Sequence, residues 1–282
     1  MYKIDSHHHF WKYNAAEYGW MNNRMDIIRR DFLPEDLRQE MSAAGINAAI
    51  TVQARQNLEE TTWLLKLAEE NDFVSAVVGW VPLIDPGVSA ILERLVGHPK
   101  LRAVRHVLHD EPDPLYMLRD DFNRGIRVLK PFGLTYDILI FERHLPQTIV
   151  FVDKHPDQVF VVDHLAKPRV HLREMSPWRE QVQELAKRRN VYCKVSGLAT
   201  EADYSNWTED QLRPYIDTVI DAFTPQRVMF GSDWPVCLVA VEYARWAGIV
   251  GRAIAQLSIC EQEQIWAGTA QRAYRLPEQP VQ

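Results

Sequence analysis

Cysteine is scarce in this 282-residue chain: there are three, Cys193, Cys237 and Cys260, far apart and with no C-x-x-C pair. That excludes a disulfide framework and points to buried free thiols in a reducing compartment. Basic residues are outnumbered, with 32 Lys and Arg against 38 Asp and Glu and a formal net charge of −6. The basic footprint of a general nucleic-acid binder is therefore missing. No uncharged apolar run approaches the ~20 residues that cross a bilayer, and Met1-Tyr2-Lys3-Ile4-Asp5 does not open a signal peptide. The expectation is a soluble cytoplasmic protein with neither membrane nor nucleic acid as partner. No G-x-G-x-x-G or G-x-x-x-x-G-K-[ST] follows a strand-like run, which weakens a doubly wound nucleotide-binding sheet. Internal repeats, low-complexity tracts and linkers are absent as well.

What is present is an ordinary globular composition, 46% apolar and 25% charged, with 12 Gly and 16 Pro. Short β-branched or apolar runs alternate with helical patterns throughout. The strand-like runs are 2–10, 48–53, 74–81, 103–108, 134–140, 159–165, 191–196 and 228–233. Between them, Asn57 followed by Glu60 predicts a capped helix start, and Leu58, Thr61, Leu64, Leu65 and Ala68 then share one helical face. Asp113-Pro114 and Ser176-Pro177 predict two further starts with proline at the first helical position. Thr208 with Gln211 forms a capping box for a helix through Ala222. Residues 34–44, stopping at Gly45, and 86–96 complete the set. Alternating strands and helices imply parallel strands with right-handed crossovers. Eight such units predict a single-domain (β/α)8 TIM barrel over residues 1–276, with a loose tail over 277–282.

The strongest chemical signal is Asp5-Ser6-His7-His8-His9-Phe10-Trp11. Residues two apart on a strand face the same way, so His7 and His9 are expected to share a face with Asp5, and His8 to point away. At the C-terminal mouth of a barrel strand, two such imidazoles are spaced to grip one divalent metal. A surface histidine run is the plain alternative, opposed by the flanking Ile4 and Phe10. His164, in Asp163-His164-Leu165-Ala166-Lys167-Pro168, ends another buried run at the same mouth. Asp233 ends Gly231-Ser232-Asp233-Trp234-Pro235, where a general base or metal ligand is wanted. Its alternative is a helix cap, since Asp caps helices well.

H-x-H on the first strand, histidine on the sixth and aspartate on the eighth resemble the layout of the amidohydrolase superfamily. The phrases 5–11, Arg30-Asp31-Phe32-Leu33-Pro34-Glu35-Asp36-Leu37, Val104-Arg105-His106, 163–168 and 231–235 resemble the sugar-lactonase branch of its amidohydrolase-2 family, from residue 2 to about 276. One departure is informative. The binuclear members carry a carboxylated lysine on strand four, whereas this strand reads Val104-Arg105-His106-Val107-Leu108. Lys167 and Lys194 lie on later strands.

The resemblance implies a hydrolase that opens a sugar-derived lactone to its aldonic acid, with Asp233 and His164 as catalytic residues. It implies a single divalent ion on His7, His9 and Asp233, zinc before manganese, or catalysis without metal. Arg55, Arg105, His106, Tyr136 and Trp234 are expected at the substrate, each with an interior ion pair or simple packing as its alternative. Trp80 and Asp137 also fall near strand ends, and Trp11 and Trp20 are candidate pocket walls. The rival activities are a hydrolase for aromatic-degradation lactones, a metal-dependent decarboxylase and a non-catalytic binding barrel. The small-molecule partner is a sugar lactone; oligomeric state is left open.

Overall fold

The computed structural model describes residues 1–277. Of the expected loose tail, 278–282 lie outside the described residues. Eight parallel strands form one sheet in chain order: β1 (Ile4–His8), β2 (Ala48–Val52), β3 (Val74–Gly79), β4 (Leu101–Val107), β5 (Thr135–Leu139), β6 (Phe160–Val162), β7 (Val191–Val195) and β8 (Val228–Phe230). The ring closes just beyond the ends of β1 and β8. There the Asp233 amide donates to the His7 carbonyl and the His9 amide to the Trp234 carbonyl, both at 2.7 Å. The chain is a (β/α)8 TIM barrel, as the alternating pattern predicts.

The helices between strands are α1 (Pro34–Ala44), α2 (Leu58–Glu70), α3 (Val88–Leu95), α4 (Asp120–Leu129), α5 (Leu145–Asp153), α6 (Trp178–Leu185) and α7 (Glu209–Phe223), with α8 (Tyr243–Ala253) after β8. Local chemistry sets their ends. Gly45, at φ 65°, stops α1, because glycine alone enters the left-handed region without steric cost. Asn57 Oδ1 accepts the Glu60 amide at 2.7 Å to start α2. The Thr208 amide donates to Gln211 Oε1 at 2.8 Å to start α7. One expected start fails: Asp113 accepts the Leu115 amide at 2.9 Å in a turn, and α4 begins only at Asp120. Asp-Pro satisfies a turn as readily as a helix cap. None of the described helices is long and apolar enough to cross a membrane. The three cysteines are free, but only Cys193 and Cys237 are buried; Cys260 is exposed, contrary to the expectation of three buried thiols.

Inside the barrel two layers differ in chemistry. The lower layer is apolar: Ile4, Ala48, Ile50, Val52, Ala76, Val78, Ala103, Val161 and Met229 pack with Tyr274 and Leu276 from the C-terminal segment. Three alanines in that layer leave room for the Tyr274 ring, which plugs the base. The upper layer is charged, carrying Arg105, Asp137, Asp163 and Lys194, all nearly inaccessible.

A register irregularity in β1 decides what joins that upper layer. Asp5 pairs with Ala49 and His8 with Thr51, so three steps along β1 match two along β2. Ile4 points into the barrel, and uninterrupted alternation would send Ser6 and His8 after it. The bulge instead turns His7 and His9 inward, a common use of bulges beside functional sites. The expected shared face with Asp5 is thereby corrected. Asp5 faces away and accepts from Ser232 Oγ at 2.6 Å and the Tyr243 hydroxyl at 3.0 Å, tying β1 to β8 and α8.

Candidate active site

Four side chains predicted from the ends of three strands meet at the C-terminal mouth. Asp233 Oδ1 stands 3.7 Å from His7 Nε2, 3.5 Å from His9 Nε2 and 3.7 Å from His164 Nε2. The two β1 imidazoles approach each other at 3.3 Å between Nε2 atoms. His8 points elsewhere, its Nε2 2.8 Å from Thr51 Oγ1. Each imidazole of the cluster is gripped from behind through Nδ1. His9 donates from Nδ1 to the Val52 carbonyl at 2.8 Å, which leaves a lone pair on Nε2. His164 Nδ1 meets Ser196 Oγ at 2.8 Å. His7 Nδ1 lies between the Lys194 ammonium at 3.2 Å and the Asp163 carboxylate at 3.3 Å.

Two glycines make the convergence possible. A Cβ on Gly197, which has φ +60°, would lie 2.6 Å from His164 Nδ1 and 3.1 Å from Asp233 Oδ2. One on Gly231 would lie 2.8 Å from His7 Cβ. The backbone is also strained here: His164, Leu165, Ala166 and Lys167 run through φ 53°, 55°, 59° and 48°, and Asp233 sits at φ 61°. Each left-handed L-residue costs about 1–2 kcal/mol, and such strain collects at functional sites. The Lys167 amide donating to the His164 carbonyl at 2.8 Å closes the left-handed turn. Trp178 Nε1, donating to the Leu165 carbonyl at 2.7 Å, pins it.

Burial pushes His7 well below, and His164 down to about 4 from, the usual histidine value, so both rings are neutral at pH 7. Burial alone would raise the Asp233 carboxyl; the surrounding His164, His9 and His7 outweigh it and hold Asp233 below the usual carboxylate range. The site thus offers an anionic carboxylate beside two neutral imidazoles, His7 and His164. A tetrahedral zinc site with bonds of about 2.0–2.1 Å places its donor atoms about 3.3 Å apart. The spacings of 3.3 to 3.7 Å among these nitrogens and the carboxylate oxygen fit that demand. One candidate set is His7, His164 and Asp233, their ligand atoms within 4.8 Å of one another, and His7, His9 and Asp233, at 3.3 to 3.7 Å, form another. His164, expected as catalytic, thus joins the donors, with His9 beside them.

A cavity of about 360 Å³ opens above the cluster, lined by His9, Arg105, His164 and Asp233 among others. Arg105 is placed as expected, its guanidinium Nη1 3.3 Å from His7 Nε2 and 3.0 Å from Asp163 Oδ2. The other four expected substrate contacts lie outside the cavity lining. Arg55 is spent on ion pairs with Glu17 and Glu60 at 2.5 and 3.6 Å. His106 and Tyr136 neighbour Arg105 and Asp137 along their strands, so they face outward when those residues face in. His106 bonds Glu111 at 2.6 Å and stacks on Tyr116, and Tyr136 packs edge-on against Phe122, Phe151 and Phe160. Trp234 and Trp11 are buried packing residues, whereas Trp20 does line the cavity. Trp80 bonds His106 from outside the barrel.

Residues overlooked in the sequence supply much of the wall: His109, Lys167, Glu201 and Tyr204. Burial, aided by Lys167 and Arg105, pushes His109 down to about 2, so it is a neutral ring stacked on Phe141 at 4.6 Å. The Arg55 contacts carry a pH signature. Burial raises Glu60 to about 7 although its Oε2 accepts the Ala54 and Arg55 amides. A raised acid favours the fold when protonated, so this contribution is lost as pH rises from about 4.5 through about 7. Glu60→Gln keeps an acceptor for both amides and removes the titration. Thermal melts between pH 4.5 and 8 should show wild type losing about 3 kcal/mol relative to the variant across that window; parallel curves contradict it.

A family model described as amidohydrolase matches residues 4–276. An L-fucono-1,5-lactonase of Burkholderia multivorans is 42% identical, over 98% of this chain and 97% of that protein. A second L-fucono-1,5-lactonase, from Burkholderia ambifaria, is 36% identical over 93% of this chain and 87% of its own length. The crystal structure of an amidohydrolase from Burkholderia multivorans with bound Zn superposes with a TM-score of 0.93 at 41% identity, covering 98% of this chain and all of that one.

Proposed function

The chain belongs to the amidohydrolase family, and from that premise we propose that it opens a six-membered sugar lactone to the aldonic acid, with Asp233 as general base. It is a lactonase; two relatives, 42% and 36% identical and matched over 97% and 87% of their length, are L-fucono-1,5-lactonases. The observation that carries the mechanism is the anionic Asp233 surrounded by three imidazoles on the floor of a cavity sized for one sugar ring. Asp233 takes a proton from the attacking water and returns it to the departing ring oxygen. His9, fixed by Val52 with its Nε2 lone pair toward the site, accepts a hydrogen from that water and orients it. Arg105, lining the same cavity, offers guanidinium N–H donors to the carbonyl oxygen as it develops charge.

His7, His164 and Asp233 would hold one divalent ion, zinc before manganese, since imidazole donors suit those metals better than magnesium. When bound, the ion supplies Lewis-acid polarisation of the lactone carbonyl. Strand four offers Arg105 where a binuclear site needs a bridging lysine. Elemental analysis of protein prepared without chelator should therefore find about one equivalent of zinc at most. Two equivalents in fully active enzyme would overturn the single-ion assignment.

The cavity's cations argue against a dicarboxylate pyrone or an aromatic carboxylate as substrate. Arg105 and Lys167 are already paired, with Asp163 at 3.0 Å and Glu201 at 2.6 Å. A charged substrate needs an uncompensated cation, and a neutral sugar lactone does not. Initial rates with aldono-1,5-lactones, read as acid release, test the proposal against 2-pyrone and dihydroxybenzoate carboxylates; turnover of the carboxylates alone would sink it.

A further inference from the structure

We propose that Lys167 and Glu201 form the hydroxyl-recognition element of this cavity, clamping two adjacent hydroxyls of the substrate ring. The inference rests on the lactonase assignment and names what selects a sugar over an unsubstituted lactone. Lys167 Nζ and Glu201 Oε1 stand 2.6 Å apart, one from the turn after β6 and the other from the turn after β7. Both line the cavity, and their side chains keep 15% and 18% of their surface open. Burial opposes charge on Lys167, but Glu201 and Asp233 outweigh it and hold the ammonium above its usual value.

An ion pair of this kind adds little to stability, yet the chain carries Lys167 at φ 48°, at the end of a left-handed turn that begins at His164. That turn brings the ammonium back to the cavity lined by His164, three residues earlier. The pair has no net charge to offer a ligand. What it offers is a strong donor and a strong acceptor side by side. A hydroxyl both donates and accepts, so one hydroxyl of a vicinal pair donates to Glu201 while its neighbour accepts from Lys167, each bond charge-assisted. Apolar residues of the lining such as Val107, Leu139 and Phe141 cannot satisfy hydroxyls. The hydroxylated edge of the ring therefore turns to Lys167 and Glu201.

The test compares Lys167→Met and Glu201→Gln with wild type on a fully hydroxylated aldono-1,5-lactone and on δ-valerolactone, which has the same ring without hydroxyls. The clamp predicts that KM for the hydroxylated lactone rises about tenfold or more while kcat changes about threefold or less. The preference ratio of kcat/KM, hydroxylated over bare ring, falls at least about tenfold. An unmoved ratio in both variants overturns the clamp and leaves the lactonase assignment standing. Calorimetric titration of the aldonate product separates the two claims from the other side. A wild type that opens no lactone but binds aldonate, with affinity lost in Glu201→Gln, overturns the lactonase and keeps the clamp. Should Lys167→Met fail to fold, Glu201→Gln reads the same ratio alone.

Discussion

Asp233→Asn is expected to lower kcat by about 10²-fold or more, the scale of general-base catalysis, while leaving the fold intact. Asparagine keeps the shape, and it tolerates the left-handed backbone that this position adopts at φ 61°. What it loses is the proton acceptor. The alternative role, a helix cap, predicts almost no loss, because asparagine caps as well as aspartate. The structure already weighs against that alternative: the short turn Val236–Val239 is entered through Pro235 with no side-chain cap bond. Since the same carboxylate stands among the candidate metal donors, metal content is measured in the same preparation. A hundredfold loss with metal retained assigns the base; near wild-type turnover removes it.

The largest effect on stability is expected at Lys194. Its ammonium bridges Asp137 Oδ2 at 2.5 Å and Asp163 Oδ1 at 3.0 Å in the sealed upper layer of the barrel. Burial alone would raise both carboxyls. It lifts Asp137 only to about 6, held in check by Lys194, and Asp163 stays well below the usual range under Lys194, His7 and Arg105. Lys194→Met leaves two buried carboxylates short of a counter-charge. Removing one partner of a buried ionic group costs about 3–5 kcal/mol, a fall in Tm on the order of 10 °C. The loss should shrink as pH falls toward about 6, because Asp137 without the ammonium takes up its proton at higher pH than in wild type. Adding Asp137→Asn should recover part of it at neutral pH. A melting temperature unchanged at pH 7.5 would show that the network does not depend on this ammonium.

The fold was legible because alternation of buried strands with capped helices is a pattern of period and spacing, and eight such units close only one way. His164 and Asp233 were legible because each ends an apolar run with a residue that apolar runs otherwise exclude, and His7 and His9 because they stand two apart on a strand between Ile4 and Phe10. The β1 bulge was not, since one extra residue in a strand leaves no mark on composition. It corrected the facing of Asp5 while leaving His7 and His9 inward. Two of the four stray substrate contacts, His106 and Tyr136, have a simpler reason. Arg105 with His106, and Tyr136 with Asp137, are adjacent on strands, and only one of each pair can face the lumen. Strict alternation would have chosen Arg105 and Asp137, and the lone charge in Val191-Tyr192-Cys193-Lys194-Val195 would have added Lys194. Lys167 and Glu201 were beyond such reasoning, because loop backbones at positive φ follow no period.

The central claim is water attack on a lactone carbonyl at this strand-end site, and isotope incorporation tests it most directly. An aldono-1,5-lactone is opened by the enzyme in H₂¹⁸O faster than it opens spontaneously, and the product is read by mass spectrometry. The mechanism predicts one ¹⁸O in the carboxylate and none on the hydroxyl that was the ring oxygen. No acceleration over spontaneous opening, or label on that hydroxyl, would contradict it.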